Sequence, residues 1–211
     1  MKNIGFWVCF GGLTTFKSLL PGTLLALKMT DIQEVLAFAK ADKSQLSAIA
    51  ISKGPGSYTG LRIGVSAAKG LSYALDIPLI SIPTLLSLAH QVRTEEGYII
   101  PMLDARRMEV YSAVFDNDYG QVRETQAQVL DEQSFRTYLD ENTVTFIGNG
   151  VAKFKEICKH PNARFVDEKL PSAAQMCRLA QEKLNLSDFE DVAYFEPYYL
   201  KDSIAGKSKM Q

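Results

Sequence analysis

Residues 53–70, KGPGSYTGLRIGVSAAKG, constrain the fold of this chain more than any other segment. The apolar run AIAI at residues 48–51 predicts a buried strand, which Gly54-Pro55-Gly56 interrupts. Ser57 or Thr59 then offers a hydroxyl that can cap the start of a helix. A strand, a glycine turn and a helix N-terminus direct backbone N–H groups to one point, and such a point suits an anion.

The glycine turn does not match the common phosphate-binding motifs. A Walker loop has a lysine and a hydroxyl residue after its last glycine, whereas Leu61 follows Gly60 here. A dinucleotide-binding loop has the spacing G-x-G-x-x-G, and this turn has G-x-G-x-x-x-G. A tight turn before a packed helix therefore remains an alternative to an anion or nucleotide site. The residues expected to contact such an anion or nucleotide are Lys53, Gly54, Gly56, Ser57, Thr59 and Arg62.

The helix predicted at residues 60–75 carries a second pattern. Gly60, Gly64 and Ala68 are spaced four residues apart, so one helix face has almost no side-chain bulk. Each internal glycine costs about 1 kcal/mol relative to alanine, and close approach of another backbone would offset that cost. That backbone can belong to this chain or to a second protein, and the spacing alone leaves both possibilities open.

Five sequence motifs, taken in order, point to a known family. They are residues 54–70 followed by LDIPLISIPT at 75–84, PMLDARRMEVY at 101–111, FIGNG at 146–150, PSAA at 171–174 and EPYYLK at 196–201. Together they closely resemble the motifs of the bacterial TsaB family, also called YeaZ. The resemblance extends from about residue 29 to residue 207.

The resemblance implies an α/β fold, a duplicated actin-like ATPase (ribonuclease H-like) architecture of two lobes with a degenerate nucleotide site. It implies a non-catalytic scaffold subunit of the machinery that makes threonylcarbamoyladenosine beside the tRNA anticodon. The expected partners are the catalytic paralogue TsaD and the ATPase TsaE, with a homodimer when the chain is alone. Transfer RNA would be engaged only through the complex. No metal or resident cofactor is implied, although a nucleotide at a subunit junction fits.

In that family, the helix after the glycine turn and the helix that should follow Thr30 would form the surface that pairs with the paralogue. The residues expected in this interface are Gly60, Leu61, Gly64, Val65, Ala68, Leu71, Ile32 and Val35.

The amino terminus departs from the family pattern. Members open with a strand that ends in Asp/Glu-Thr-Ser/Thr, and no such tripeptide follows Met1. Residues 2–10 and 13–18 instead predict the second and third strands of the fold, joined at Gly11-Gly12 as a hairpin. We therefore expect the first sheet to lack a strand and to leave one edge unpaired.

Alternating strand and helix patterns predict α/β layers with some parallel pairing. The polar stretch TEEG at residues 94–97 is the expected boundary, which gives a lobe at 1–97, a lobe at 98–200 and a polar tail at 201–211. Residues 98–103, 109–115 and 121–130 predict three antiparallel strands at the start of the second lobe.

The net charge of −1 creates no global field for a polyanion such as tRNA, so a partner would have to supply the basic surface. Three cysteines, Cys9, Cys158 and Cys177, share no short spacing, which suits a reducing cytoplasm and argues against a zinc site. No apolar run reaches the roughly 18 residues of a membrane span.

Other chemistry has little support in the sequence. The two histidines, His90 and His160, form no metal-binding pair, and His90 is expected at an exposed helix end. Asp104, Arg106 and Arg107 predict a charged turn in which arginines pair with Asp104 or Glu109, with a docking patch as the alternative. A small ATPase or kinase on the same fold and a glycoprotease-like peptidase are the alternative functions.

Overall fold

The computed structural model describes residues 6–10, 24–25 and 29–200. Its first sheet has four strands in these ranges, in the order β2-β1-β3-β4, and every neighbouring pair is parallel. The strands are β1 (Phe6–Phe10), β2 (Leu24–Leu25), β3 (Leu46–Gly54) and β4 (Leu79–Pro83). The helices of this half are α1 (Met29–Ala39), a short 3-10 helix (Lys43–Gln45), α2 (Tyr58–Leu75) and α3 (Thr84–Ala89).

The second sheet has five strands in the order β7-β6-β5-β8-β9. They are β5 (Tyr98–Asp104), β6 (Glu109–Asp116), β7 (Gln121–Val129), β8 (Val144–Gly148) and β9 (Ala163–Asp167). The three predicted antiparallel strands are confirmed as β5, β6 and β7, whereas β8 and β9 extend the sheet in parallel. Helices α4 (Arg136–Glu141), α5 (Val151–Ile157) and α6 (Ala173–Asn185) complete the described elements.

The two sheets share one local plan. Strand β3 and strand β8 each run parallel to a strand at the centre of their sheet, and each is followed by a glycine turn and a helix. Gly54 and Gly148 end these two strands with positive φ angles of 112° and 128°, which a side chain rarely tolerates. This correspondence within one chain is what a duplicated architecture requires.

The amino-terminal strand differs from the expectation. Residues 2–10 were expected to form the second strand, in a hairpin with residues 13–18, but β1 pairs in parallel with β3, as β5 does with β8. β1 thus takes the position of a first strand. Its uninterrupted apolar sequence FWVCF suits that position, because α2 and α6 both lie against it. Residues 13–18 lie outside the described residues.

Alternate residues of β3 face two different helical layers. Ile49 and Ile51 belong to a core cluster with residues of α1 and α2, whereas Ala48 and Ala50 belong to a cluster with residues of α6. The last helix of the described residues therefore covers the first sheet. The small alanine side chains let α6 approach the strand closely. A boundary near residue 97 stays a prediction, and α6 packs on the sheet that precedes it.

Helix α3 lies between the two sheets. Its residues Leu85, Leu88 and Ala89 are buried with Ile99 of β5 and Ile147 of β8 on one face of the second sheet. The opposite face of the second sheet carries Phe146 of β8. The rings of Phe135, Phe146 and Phe154 meet edge to face there. The short α3 thus connects the ends of both sheets.

After α6 the chain returns along the first half through residues 190–199, which contain a turn at 192–194 and which we call the C-terminal strap. Glu190 forms an isolated antiparallel bridge with Leu79 of β4. Val192 and Phe195 pack against the core cluster under α2. The strap therefore brings the end of the described chain to the glycine turn.

Candidate partner-binding surface

The glycine turn is held from inside the protein. The Gly54 N–H donates to Thr84 Oγ1 at 3.1 Å, and the same hydroxyl lies 2.5 Å from Ser52 Oγ. Ser57 is the N-cap of α2, because its Oγ accepts from the Gly60 N–H at 3.3 Å. Of the two caps that the sequence allowed, the structure uses Ser57.

The C-terminal strap covers one side of this turn. The Tyr198 N–H donates to the carbonyl oxygen of Lys53 at 2.7 Å. A Cβ added at Gly54 would lie 2.8 Å from the Tyr198 carbonyl oxygen, so only glycine allows the strap to approach this closely. The rings of Tyr58 and Tyr199 meet with centroids 4.8 Å apart.

The residues expected to contact an anion lie together at the end of β3 and the first turns of α2. Gly54 is buried, Lys53 and Gly56 are half-buried, and Ser57, Thr59 and Arg62 are exposed. Partial burial and the neighbouring Tyr58 raise the pKa of Tyr199, and Arg62 opposes that shift while Glu196 adds to it. A cation and a carboxylate thus both lie near this ring. Contact with an anion or nucleotide stays a prediction.

One side of helix α2 directs large apolar side chains inward. Leu61, Val65 and Ala68 were expected at a protein interface, but they are buried in the chain's own core together with Ser72. Leu71 is half-buried and packs against the same cluster. The small-residue stripe is half-buried at Gly60 and Gly64 and lies beside this inward face. These buried side chains stabilise the chain itself, and the contact of this helix with a second protein stays a prediction.

The opposite side of α2 carries apolar side chains in solvent. Ile63 is 63% exposed and Tyr73 is 84% exposed. At about 100° per residue, Ile63, Gly70 and Tyr73 fall within roughly 80° of each other around the helix axis. They form one outward surface, which we call the outer α2 face.

A shallow groove of about 540 Å³ borders the outer α2 face. It is lined by Lys69, Gly70 and Tyr73 of α2 and by residues 191–193 of the strap. The Lys69 ammonium donates to the carbonyl oxygens of Ala193 and Phe195 at 3.1 and 2.9 Å. The strap is therefore fixed to α2 along one wall of the groove.

Helix α1 contributes to the same core cluster and has its own exposed aromatic residue. Leu36 is buried in the cluster that includes Val65 and Ala68, whereas Phe38 is 67% exposed. Ile32 and Val35 occupy positions in α1, and their side chains lie outside the described residues. The residues predicted at an interface do not include Phe38, Ile63 or Tyr73. In the sequence, these three can be recognised as apolar residues that are out of phase with the buried positions of their own helices.

The turn after β5 is charged, but its ion pair differs from the expected one. Asp104 pairs with Lys153 of α5 at 2.6 Å, and no arginine side chain bonds to it in the described part of the chain. Although partial burial raises the pKa of Asp104, the hydrogen bonds from Lys153 and from the Arg106 N–H hold that pKa below its ordinary value. Lys153 lies far away in the sequence, so residue spacing could not reveal it.

The two histidines lie in ordinary structural contacts. His90 follows α3 and stacks on Tyr119 with ring centroids 3.8 Å apart, so it is half-buried and not exposed as expected. His160 Nε2 lies 3.2 Å from Asp140 Oδ1. Within the described ranges, no three His, Cys, Asp or Glu side chains converge as metal ligands do. None of the helices there is both long and apolar enough to cross a bilayer.

The two sheets, their strand orders and the helices between them define an α/β protein of the actin-like, ribonuclease H-like class. Two solved structures share this fold. One is YeaZ from Pseudomonas aeruginosa, with a TM-score of 0.69 and 24% identity, and each chain is covered to 82%. The other, from the same organism, is an uncharacterized protein with similarity to peptidase YeaZ, with a TM-score of 0.72 and 22% identity over 82% of each chain.

The sequence comparisons are more specific. A family model described as "TsaD: tRNA N6-adenosine threonylcarbamoyltransferase" matches residues 27–209. The tRNA threonylcarbamoyladenosine biosynthesis protein TsaB of Haemophilus influenzae is 30% identical, over 83% of this chain and 79% of the relative. TsaB of Escherichia coli (strain K12) is 29% identical, over 83% of this chain and 80% of the relative. The chain belongs to the TsaB (YeaZ) family.

A transferase is also similar to part of the chain. The tRNA N6-adenosine threonylcarbamoyltransferase of Christiangramia forsetii is 33% identical over 47% of this chain and 35% of the relative. This chain is therefore similar in sequence to TsaB relatives and, over about half of its length, to a transferase.

Proposed function

We propose that this protein is a non-catalytic scaffold subunit in the synthesis of threonylcarbamoyladenosine on tRNA. Its TsaB relatives carry the name of that pathway, and a transferase is similar to it in sequence. The partner we propose is the catalytic paralogue TsaD, with the ATPase TsaE joining the complex and tRNA contacted only through it. A cytoplasmic location suits this role and the free thiol of Cys158.

The observation that carries the pairing proposal is the outer α2 face. Ile63 and Tyr73 place apolar surface in water on a helix whose other side is fully packed. Phe38 does the same on α1, which shares its core cluster with α2. Large apolar side chains exposed on two helices that share one core cluster favour an interaction site. Docking of a partner here would remove the three side chains from water and stabilise the bound conformation of that partner.

A protein that pairs with a structural relative through one surface can also pair with itself through it. We therefore propose a homodimer of the chain alone, formed by the outer α2 face and displaced by TsaD. A nucleotide at a subunit junction remains compatible with this arrangement, with Lys53 and Arg62 beside the glycine turn as its cationic contacts. Gly60 and Gly64, half-buried beside the inward side of α2, would allow a partner helix to approach closely.

The test is light scattering coupled to size-exclusion chromatography of the chain alone, and of the chain mixed with the TsaD protein of the same organism. We expect a one-to-one complex, and we expect Ile63→Asp to abolish it without unfolding the chain. Val122→Asp is the matched control, because Val122 is 50% exposed on β7 and lies on the other sheet. A complex that survives Ile63→Asp but not Val122→Asp would place the interface elsewhere. A folded chain that forms no complex would refute the scaffold role.

A further inference from the structure

The loop between β5 and β6, residues 105–108, presents two adjacent arginines to solvent, and we call it the arginine loop. Arg106 and Arg107 have φ angles of 72° and 50°, in the left-handed region that residues with a side chain seldom adopt. Both side chains are exposed. Within the described residues, neither guanidinium group forms a hydrogen bond or ion pair.

The arginine loop is rigid because Lys153 holds it from beneath. The side chain of Lys153 is only 16% exposed. Its ammonium group donates to Asp104 Oδ1 at 2.6 Å, to the Arg107 carbonyl at 2.6 Å and to the Glu109 carbonyl at 2.9 Å. Three acceptors satisfy all the donors of an ammonium group. The loop is thus fixed in one conformation before any partner arrives.

Because Lys153 binds Asp104, the Asp104 carboxylate does not pair with the positive charges of Arg106 and Arg107. Asp104, one of the two carboxylates that flank the arginines in sequence, is occupied by Lys153 and by the Arg106 backbone N–H. The two guanidinium groups therefore have no hydrogen bond to Asp104 and are exposed to solvent. Guanidinium groups bind carboxylates through two parallel hydrogen bonds, which an ammonium group cannot reproduce.

Apolar side chains border the arginine loop. Met108 is 38% exposed and Val129 is 68% exposed. The two are neighbours, because the Met108 carbonyl accepts from the Leu130 N–H at 2.7 Å and Val129 lies opposite Glu109 in the sheet. Arginine and methionine are both enriched in protein interfaces. Binding of a nucleic acid through its phosphates depends on neutralising many of them, and two arginines beside apolar groups neutralise few.

We propose that the arginine loop docks an acidic segment of a protein partner. Carboxylates of that segment bind Arg106 and Arg107, and an apolar side chain of the segment packs against Met108 and Val129. This site lies on the second sheet and is separate from the outer α2 face. It rests on the proposed function only through the choice of the TsaD protein as one of its two probes.

The experiment measures affinity for the TsaD protein of the same organism by calorimetry at low and high salt. We expect Arg106→Glu with Arg107→Glu to weaken binding about tenfold at low salt, with the difference shrinking at high salt. Arg106→Lys with Arg107→Lys should be intermediate. The matched control is Arg93→Glu with Lys169→Glu, which makes the same charge change at two other exposed positions and should stay within about twofold.

The second probe is a synthetic peptide of alternating glutamate and leucine residues, added to the chain alone and followed through the NMR signals of the arginine Nε–H groups. Shifts confined to Arg106 and Arg107 support the docking site even if the TsaD protein does not bind, an outcome that would refute the proposed function alone. Loop variants that bind both probes as the wild type does would overturn the docking site.

Discussion

The backbone N–H of Tyr198 donates to the carbonyl oxygen of Lys53 across 2.7 Å, joining the end of the described chain to the glycine turn near its start. This bond fixes the C-terminal strap beside the first turn of α2. The outer α2 face therefore depends on a segment that lies more than a hundred residues away in the sequence. Because the bond brings the Tyr198 backbone against Gly54, a side chain at position 54 should change the stability of the protein.

Replacing Gly54 by alanine should destabilise the protein. The φ of 112° is unfavourable for a residue with a side chain, and the new Cβ would lie 2.8 Å from the Tyr198 carbonyl. We expect the free energy of unfolding in urea to fall by roughly 1–3 kcal/mol. Gly70→Ala is the control, since a Cβ there meets nothing within 4 Å and α2 should gain roughly 0.5–1 kcal/mol. Equal stability of the two variants would contradict this account.

Replacing Lys153 by methionine should loosen the arginine loop. The substitution removes the donor of the Arg107 carbonyl and one of the two donors of Asp104 Oδ1 and of the Glu109 carbonyl, and we expect a loss of roughly 1–3 kcal/mol in the free energy of unfolding. Amide hydrogen exchange of residues 105–109 should rise. Lys155→Met on the same helix removes the more exposed ion pair with Asp167 and should cost less than about 1 kcal/mol. Unchanged exchange in the loop would show that Lys153 does not hold it.

Stability should depend on pH through His90. Burial, followed by the nearby Arg178, lowers the pKa of His90 below 6.5, and Glu182 only partly opposes this shift. Between the folded pKa and 6.5 the unfolded chain therefore binds more protons than the folded chain. The free energy of unfolding should fall as the pH drops through this window, and be unaffected by this group above it.

The measurement is urea denaturation of the wild type and of His90→Gln across the acidic range. The difference between the two free energies should be constant above pH 6.5 and should shift in favour of the variant below it. Parallel curves at all pH values would rule out this role of His90.

Replacing Met176 by alanine should destabilise the first sheet. Met176 lies on α6, is buried, and shares a core cluster with Ala48 and Ile80 of that sheet. We expect a loss of roughly 2–5 kcal/mol in the free energy of unfolding. Met108→Ala removes the same side chain from an exposed position and should change stability by about 0.5 kcal/mol or less. A loss for Met176→Ala as small as the one expected for Met108→Ala would mean that α6 adds little to the stability of the sheet.

Much of the fold could be predicted because the periodicity of strands and helices survives in the sequence. The helix at residues 60–75 and the antiparallel strands of the second sheet are present at nearly the expected positions. Strand β9 was missed, since its residues 163–167 read ARFVD and mix polar with apolar residues at the edge of a sheet. The position of β1 was mistaken because pairing partners are a tertiary property that one strand does not encode.

The candidate surface was harder to predict. The glycine stripe of α2 predicted a slim face for a close contact. The orientation of the helix, however, is set by Leu61 and Val65, which are buried in the core of the chain itself. The ion pair of Asp104 with Lys153 and the contact of Tyr198 with Lys53 join residues distant in sequence. A single sequence carries no signal for such pairs. Only the folded chain shows which apolar residues of α2 remain in water.

The position of α6 has a consequence for how the protein is made. The strands of the first sheet leave the ribosome early, but the side chains that cover Ala48, Ala50 and Ile82 belong to residues 173–180, which are translated near the end. At roughly 5–20 residues per second, this half must wait several seconds with one face of its sheet bare. A nascent chain halted before α6 should therefore be the species that chaperones bind and proteases cut.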